Sequence, residues 1–278
     1  MDAPYKKLLT LSYNVIGSYE DAKDIVQDAL EKYIHLDKST IENEVAYLTR
    51  MVVNLSINFK NKFGKHTGYG VWLPEPVSTE TVELALAREQ LASYSLLVLM
   101  EMLTVKERAV FVLKEAFSYA HEEIATALEM TADNSRQIYS RARKALNNNA
   151  FKPVKPHAHD LTEYIQAIVN ADVKVLEQLF AEDIKIMADG GNKVRVVKDI
   201  EIGIAPTAKL VQYVYAHFLE GKQYSFTEMN HQPAICFWRD ELLYNCQVFL
   251  FDETGKVKNI YSIVDPVKLR RMKVRYTQ

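Results

Sequence analysis

From its start to about Phe151 the chain sets apolar residues at helical spacing. Leu8, Leu9 and Leu11 open an apolar helix that stops near Gly17. Ser18 is placed to cap the next helix, in which Ala22, Ile25, Val26, Ala29, Leu30 and Tyr33 share a face. A polar loop, HLDKSTIENE, precedes a third helix from about Val45 to Lys62. That helix has an apolar stripe (Leu48, Val52, Leu55, Phe59) and a polar one (Arg50, Asn54, Asn58, Asn61). The stretch FGKHTGYGVWLPEPVSTETVE breaks the period and holds three of the nine glycines and two of the eight prolines, the composition of a linker. Pro74 and Pro76 bias the residues before them toward extended backbone. Tyr69, Val71, Trp72 and Leu73 are too apolar for a solvated tether, so WLPEP is expected to run extended and to dock.

Helical spacing resumes from Val82 to about Asn148 and ends at a second linker, KPVKPH (Lys152–His157). Two helical stretches follow, Asp160–Val169 and Val173–Phe180. The pattern then alternates in β-branched and aromatic segments: DIKIMAD, KVRVVKDIE, YSFTEMN, PAICFWRD, ELLYNCQVFLFD and KVKNIYSIVD. A helix fits Pro206–Leu219, and Asp252–Gly255 is a hairpin turn. The expectation is a multidomain chain: all-α at 1–65, a linker at 66–81, all-α at 82–150, a linker at 151–159, and an α+β domain with a curved, largely antiparallel sheet at 160–278.

Composition changes little in this picture. The 278 residues are 48% hydrophobic and 25% charged, which suits more than one globular core. No apolar run reaches a membrane span, and the first residues lack a signal-peptide pattern, so a cytoplasmic protein with no membrane partner is expected. Cys236 and Cys246 fall outside metal-ligand spacing and read as buried, reduced thiols. No cofactor or metal motif is present. Net charge is only -2, yet the signs segregate. Arg136, Arg141, Arg143, Lys144, Lys152 and Lys155 cluster around a lone Asp133, whereas Glu20–Glu31 is strongly acidic, suggesting two different partners.

The stretch EEIATALEMTADNSRQIYSRARKAL (Glu122–Leu146) splits at Leu128–Thr131. Ile124, Ala125 and Leu128 share a face before the split; Ile138, Ala142, Ala145 and Leu146 share one after it. Thr131 caps the second helix and Asp133 sits in its first turn, where a carboxylate suits the dipole. So short a connection makes a helix-turn-helix. Its turn lacks glycine, so Glu129 or Met130 must take the strained positive φ. Recognition helices read bases with their first residues and grip phosphates further along. Ser135, Arg136 and Gln137 are therefore candidate base readers, and Arg141, Arg143 and Lys144 candidate phosphate clamps.

These residues carry a resemblance. Leu103, Glu107-Arg108, Val110-Phe111, Leu113, Phe117-Ser118-Tyr119, Glu123-Ile124-Ala125, Arg136-Gln137 and Arg141-Ala142-Arg143 resemble region 4 of a bacterial sigma factor. Asp21–Asp28 (DAKDIVQD) resembles the core-polymerase-binding helix of region 2, and Ala46-Tyr47-Leu48 with Asn54 the helix that engages the −10 element. Without regions 1 and 3, the chain resembles the extracytoplasmic-function group. It is similar to the branch of that group in which WLPEP joins regions 2 and 4 and a SnoaL-like domain follows. Asp189-Gly190-Gly191-Asn192-Lys193 resembles that branch's DGGGK stretch, departing at Asn192. Asp265-Pro266-Val267-Lys268-Leu269 partly matches its NPDKL stretch.

The resemblance implies a transcription-initiation factor, not an enzyme, whose partners are core RNA polymerase and promoter DNA. Asp21, Asp24, Ile25, Gln27 and Asp28 are implied to hold polymerase. The loop His35–Glu44 would capture a flipped −10 base, with Arg50, Asn54 and Lys60 along the adjoining backbone. Region 4 would read the −35 duplex in the major groove. The third domain is expected to act as a regulatory clamp through Trp72, Leu73, Pro74, Asp189, Gly190, Gly191, Asp265, Pro266, Lys268 and Leu269. Its apolar pocket leaves open an unknown small ligand. Asp189, His217 and His231 are the acid–base groups there, and no pair has catalytic spacing. Two other readings compete: a duplex-binding regulator that works without polymerase, which has no use for the acidic helix, and a SnoaL-like enzyme with a DNA-binding appendage.

Overall fold

The computed structural model describes residues 3–63, 68–79, 85–147, 161–197, 201–272 and 274. The linker KPVKPH, and with it Lys152 and Lys155, lies outside the described residues, as does Val82. The chain divides into two compact units, one of Met1–Lys65 with Thr79–Lys152 and one of His66–Ser78 with Pro153–Gln278.

The first unit is all-α. Helix α1 (Ala3–Ile16) is buried on every side from Leu8 onward. A helix enclosed all round must satisfy its polar side chains internally. Thr10 donates to the Lys6 carbonyl at 3.0 Å, Ser12 meets Ser56 Oγ at 2.9 Å, and Asn14 donates to the Gln90 carbonyl at 2.6 Å. Around α1 pack α2 (Tyr19–Ile34), α3 (Glu44–Phe63) and α5 (Val105–Glu115). Ser18 occupies the N-cap of α2, but its side chain makes no capping bond. The buried face of α3 differs from the expected stripe: Leu48, Thr49, Val52, Val53 and Ser56 are inside, whereas Leu55 and Phe59 are half-buried. Small Ser56 suits close packing against α1, where it meets Ser12, and Thr49 bonds the Tyr119 hydroxyl; a hydrophobic pattern passes over both.

A 3₁₀ segment (Ala85–Gln90) and α4 (Tyr94–Leu99) lead to α5, whose start is a capping box of Thr104 and Glu107. Then come α6 (His121–Ala127) and α7 (Ala132–Asn147). Ile124, Ala125, Leu128, Ile138, Ala142 and Leu146 are buried between them. Thr131 Oγ1 accepts from the Asn134 amide at 3.2 Å. The strained turn position is Glu129, at φ 52°.

The second unit is a cone. Helices α8 (Thr162–Val169), α9 (Val173–Leu179) and α10 (Ile204–Val214, continued by a π-turn at Tyr215–Leu219) cover one face of a seven-stranded sheet. The strands are β1 (Tyr69–Gly70), β2 (Phe180–Gly191), β3 (Glu201–Ile202), β4 (Gln223–Met229), β5 (Gln232–Arg239), β6 (Leu242–Phe251) and β7 (Val257–Ile263), and α11 (Pro266–Arg271) follows them. The order is β1-β2-β7-β6-β5-β4, with β3 on β2. All pairs are antiparallel except β2–β7. The core lies between helices and sheet: Tyr164, Phe180, Ile184, Ile235, Phe237, Phe249 and Ile260, each buried. Cys236 and Cys246 are direct cross-strand partners, both free and buried.

The expected strand KVRVVKDIE does not form as one. Lys193–Val197 is turn and coil, 198–200 lies outside the described residues, and only Glu201–Ile202 pairs. The stretch 66–81, read as a linker, contributes a strand of its own: Tyr69 and Gly70 pair with the end of β2, at one edge of the sheet. Gly70 is required there, because at φ +81° a Cβ would sit 2.1 Å from the Ala188 carbonyl oxygen.

Candidate nucleic-acid interface and linker clamp

In the first unit, α2 projects Asp24, Gln27 and Asp28 into solvent, with Asp21 half-buried. Ile25 does not join them. It is 6% exposed and packs in the core, so it cannot form the apolar centre of a contact face. Asn43 caps α3 by accepting from the Ala46 amide at 3.0 Å. In the loop before it, Asp37 accepts from the Ser39 amide at 3.0 Å. That bond to the charged form holds the Asp37 carboxyl below its ordinary value. Along α3, Arg50 is exposed, while Asn54 and Lys60 are half-buried.

On α7, Arg136, Gln137, Arg141, Arg143 and Lys144 are exposed. Arg136 is bridged to Glu122 at 2.6 Å and to Asp133 at 2.8 Å, and Arg143 lies over the Tyr139 ring. Ser135 is a correction to the expected base readers. It is 0% exposed and its Oγ sits 3.0 Å from His121 Nδ1, so it holds α6 to α7 and cannot reach a base. The helix period explains the error: Ser135, Ile138 and Ala142 share the inward face.

Burial, then the charges of Lys114 and Arg136, hold His121 below its ordinary value, against the opposing pull of Glu122. In the unfolded chain this imidazole binds a proton at about pH 6.5. Below that pH the unfolded state takes up the proton more readily, so this contribution to stability is present at neutral pH and is lost as the pH falls. Thermal melts between pH 8 and 5 should show a fall that is shallower in His121→Gln. An equal fall would place its origin elsewhere.

In the second unit, three separate stretches meet at one carboxylate. Asp189, 0% exposed, accepts from the Leu73 amide through Oδ2 at 2.9 Å and from the Gly191 amide through Oδ1 at 2.9 Å. Lys268 Nζ reaches the same Oδ2 at 2.5 Å, donates to the Leu73 carbonyl, and lies 4.4 Å from the centre of the Trp72 ring. Gly190 and Gly191 let the chain turn here. A Cβ on Gly190 would meet the Val194 carbonyl oxygen at 1.8 Å. One on Gly191, at φ +56°, would meet the Asp265 carboxyl at 2.4 Å. Asp265 caps α11 by accepting from the Val267 amide at 2.9 Å, Pro266 fills the first helical position, and Leu269 is buried. Leu73, Pro74 and Pro76 are buried, and Trp72 is half-buried.

Sequence reasoning missed the other end of this clamp. Asn230, fully buried at φ 47°, accepts from the Val77 amide through Oδ1 at 2.8 Å and donates its own amide to the Val77 carbonyl at 2.9 Å. Ser78 then pairs with Met229, on β4. The signal was present: Asn230-His231 between two strands is a turn in which both residues take positive φ. His217 stacks on Tyr213, with ring centres 4.1 Å apart. Among the described residues no group of His, Cys, Asp and Glu could hold a metal ion, and no helix is long and apolar enough to cross a membrane.

Residues 93–146 match the family described as Sigma-70, region 4. "ECF RNA polymerase sigma factor SigJ" of Mycobacterium tuberculosis is 29% identical over 204 residues, 69% of this chain and 64% of that protein. "Probable ECF RNA polymerase sigma factor SigI" of the same species is 24% identical over 272 residues, 94% and 91% of the two chains. The chain thus carries a sigma-70 region 4 at 93–146 and is similar over most of its length to sigma factors of the extracytoplasmic-function group. The crystal structure of M. tuberculosis SigJ shares its fold, with a TM-score of 0.79 at 23% identity over 98% of each chain. The chain thus shares with that structure an all-α part followed by an α+β cone. It spans 64% of the length of the SigJ sequence that it matches.

Proposed function

We propose that this chain is a sigma factor that acts in the cytoplasm by binding core RNA polymerase and directing it to promoters through two DNA readers. Polymerase is held by the exposed acidic edge of α2, Asp24, Gln27 and Asp28, with Asp21 beside them. Arg50, Asn54 and Lys60 of α3 engage the −10 strand. On α7, Arg136 and Gln137 read −35 bases, while Arg141, Arg143 and Lys144 grip phosphates. Ser135 and Ile25 position these surfaces from within.

The observation that carries this reading is the α6–α7 pair. Its buried seam orients an exposed basic face whose first turns present Arg136 and Gln137, in the segment that matches region 4. Arg136→Ala should cost about 1–3 kcal/mol of discrimination at one −35 base pair. Unchanged promoter preference in competition transcription would remove Arg136 as a reader.

The cone regulates by holding the segment that joins regions 2 and 4. WLPEP is fixed by Asp189 and Lys268 inside the cone, so the cone governs how far apart regions 2 and 4 are held. Run-off transcription with purified core polymerase, using the full chain and a chain cut after Asn149, tests both parts. Promoter-specific transcripts from either form support the sigma role, and a large difference between the forms supports regulation by the cone. No transcript from either, alongside duplex binding by the protein alone, would favour a regulator that works without polymerase.

A further inference from the structure

The three α3 side chains assigned to the −10 strand all bind residues of the region 4 segment. Arg50 is paired with Glu129. Asn54 donates to the Ala127 carbonyl at 3.0 Å. Lys60 reaches both carboxylate oxygens of Glu101, at 3.0 and 2.9 Å, as well as the Ile16 carbonyl at 3.0 Å. Beside them the Tyr119 hydroxyl donates to Thr49 Oγ1 at 3.2 Å. Carboxylates and a carbonyl thus occupy the donors that a nucleic-acid strand would need. Lys60 and the Asn54 side-chain amide have their donors engaged and the Arg50 charge is met by Glu129, so a DNA strand must compete with the protein partners.

Glu129 shows the same arrangement from the other side. At φ 52° it holds a conformation that glycine would take without strain. What glycine would lack is the carboxylate on Arg50. A non-glycine residue kept in strain is a reason to look for a use.

We propose that these contacts form a latch that closes region 4 over the promoter-facing edge of α3 in the free protein. The inference rests on the reading of α3 as the −10 helix. The latch has two grades. Lys60–Glu101 is largely shielded, and Glu101 is shared with Arg108, whose side chain is 1% exposed; this is the firm end. Arg50–Glu129, with side chains 44% and 72% exposed, is the end that gives way first. Parting the two regions, as binding to polymerase would, frees all three donors together.

The test uses the full chain with spin labels on cysteines placed at exposed Lys32 and Ser140, one in each region. The native Cys236 and Cys246 are buried and do not compete for label. Pulsed dipolar distances should show one short population in the parent. Glu129→Arg should add a longer one, and adding Arg50→Glu should restore the short one. Identical distributions in all three proteins would overturn the latch. Glu129→Gly relieves the turn, so loss of fold does not confuse the outcome. It should tighten binding of the free chain to a fluorescent single-stranded oligonucleotide by about two- to fivefold, the release of one exposed pair. If distances shift as expected while Glu129→Gly leaves oligonucleotide binding unchanged, the latch stands and the −10 assignment of α3 falls.

Discussion

Asp189→Ala should destabilise the cone by about 3–5 kcal/mol, the range for removing one partner of a buried ion pair. The loss is large because the carboxylate has three separate partners. Lys268 would keep its charge with only a carbonyl and a ring beside it, and the Leu73 and Gly191 amides would both lose their acceptor. Asp189→Asn should lose less, since a side-chain oxygen remains for one amide. The chain offers a clean readout. Its two tryptophans, Trp72 and Trp238, both belong to the cone unit. Urea unfolding followed by tryptophan emission reports this unit, and Asp189→Ala should lower its midpoint. Trp72 should also become more exposed before the cone itself unfolds. A midpoint within error of the parent would show that the carboxylate does not hold the linker.

Arg108→Ala should produce a comparable loss in the all-α unit, again about 3–5 kcal/mol. Arg108 is among the largest fully buried side chains of the described residues, donates through Nε to the Asn14 carbonyl at 2.8 Å, and is paired with Glu101. Truncation leaves a void and an under-compensated Glu101 together. Yet Arg108 Nη2 is buried without a hydrogen-bond partner among the described residues. Part of the desolvation cost of the guanidinium is therefore never offset. Arg108→Met, which fills the space without a charge, should recover much of the loss. Helical circular dichroism checks this in a unit that contains no tryptophan. Equal destabilisation by Ala and Met would mean that the ion pair, and not the packing, matters at this position.

Much of this was legible because the pattern and the physics coincide. The helix-turn-helix announces itself through Ile124, Leu128, Ile138 and Ala142, and the strands β4 to β7 through their alternation. Errors arose where a side chain's polarity misrepresents its place. Ser135 and Ser56 are small enough to be buried at helix contacts, which a hydrophobic pattern does not register. The resemblance sets Ile25 among its acidic neighbours, although its place on the apolar face of α2 sends it to the core. The segment 193–201 has the β-branched composition of a strand, but of its described residues only Glu201 pairs in the sheet. The carboxylate cluster joins residues 116 positions apart in sequence at Leu73 and Asp189, a juxtaposition that only the fold creates. The resemblance pointed to those residues without supplying their chemistry. Glu129 was half legible: a turn without glycine marks strain, but not the arginine that uses it.

The strap from Tyr69 to Ser78 is anchored on opposite sides of the sheet, at β2 and at β4. Nine residue steps of extended chain reach about 30 Å, and none of this length is coiled into helix. A detached segment of the same length has a shorter average end-to-end distance than its contour. Release from the cone would therefore add no reach between regions 2 and 4. It would give slack, turning a taut spacer of set length into a leash whose ends drift closer and sample many separations.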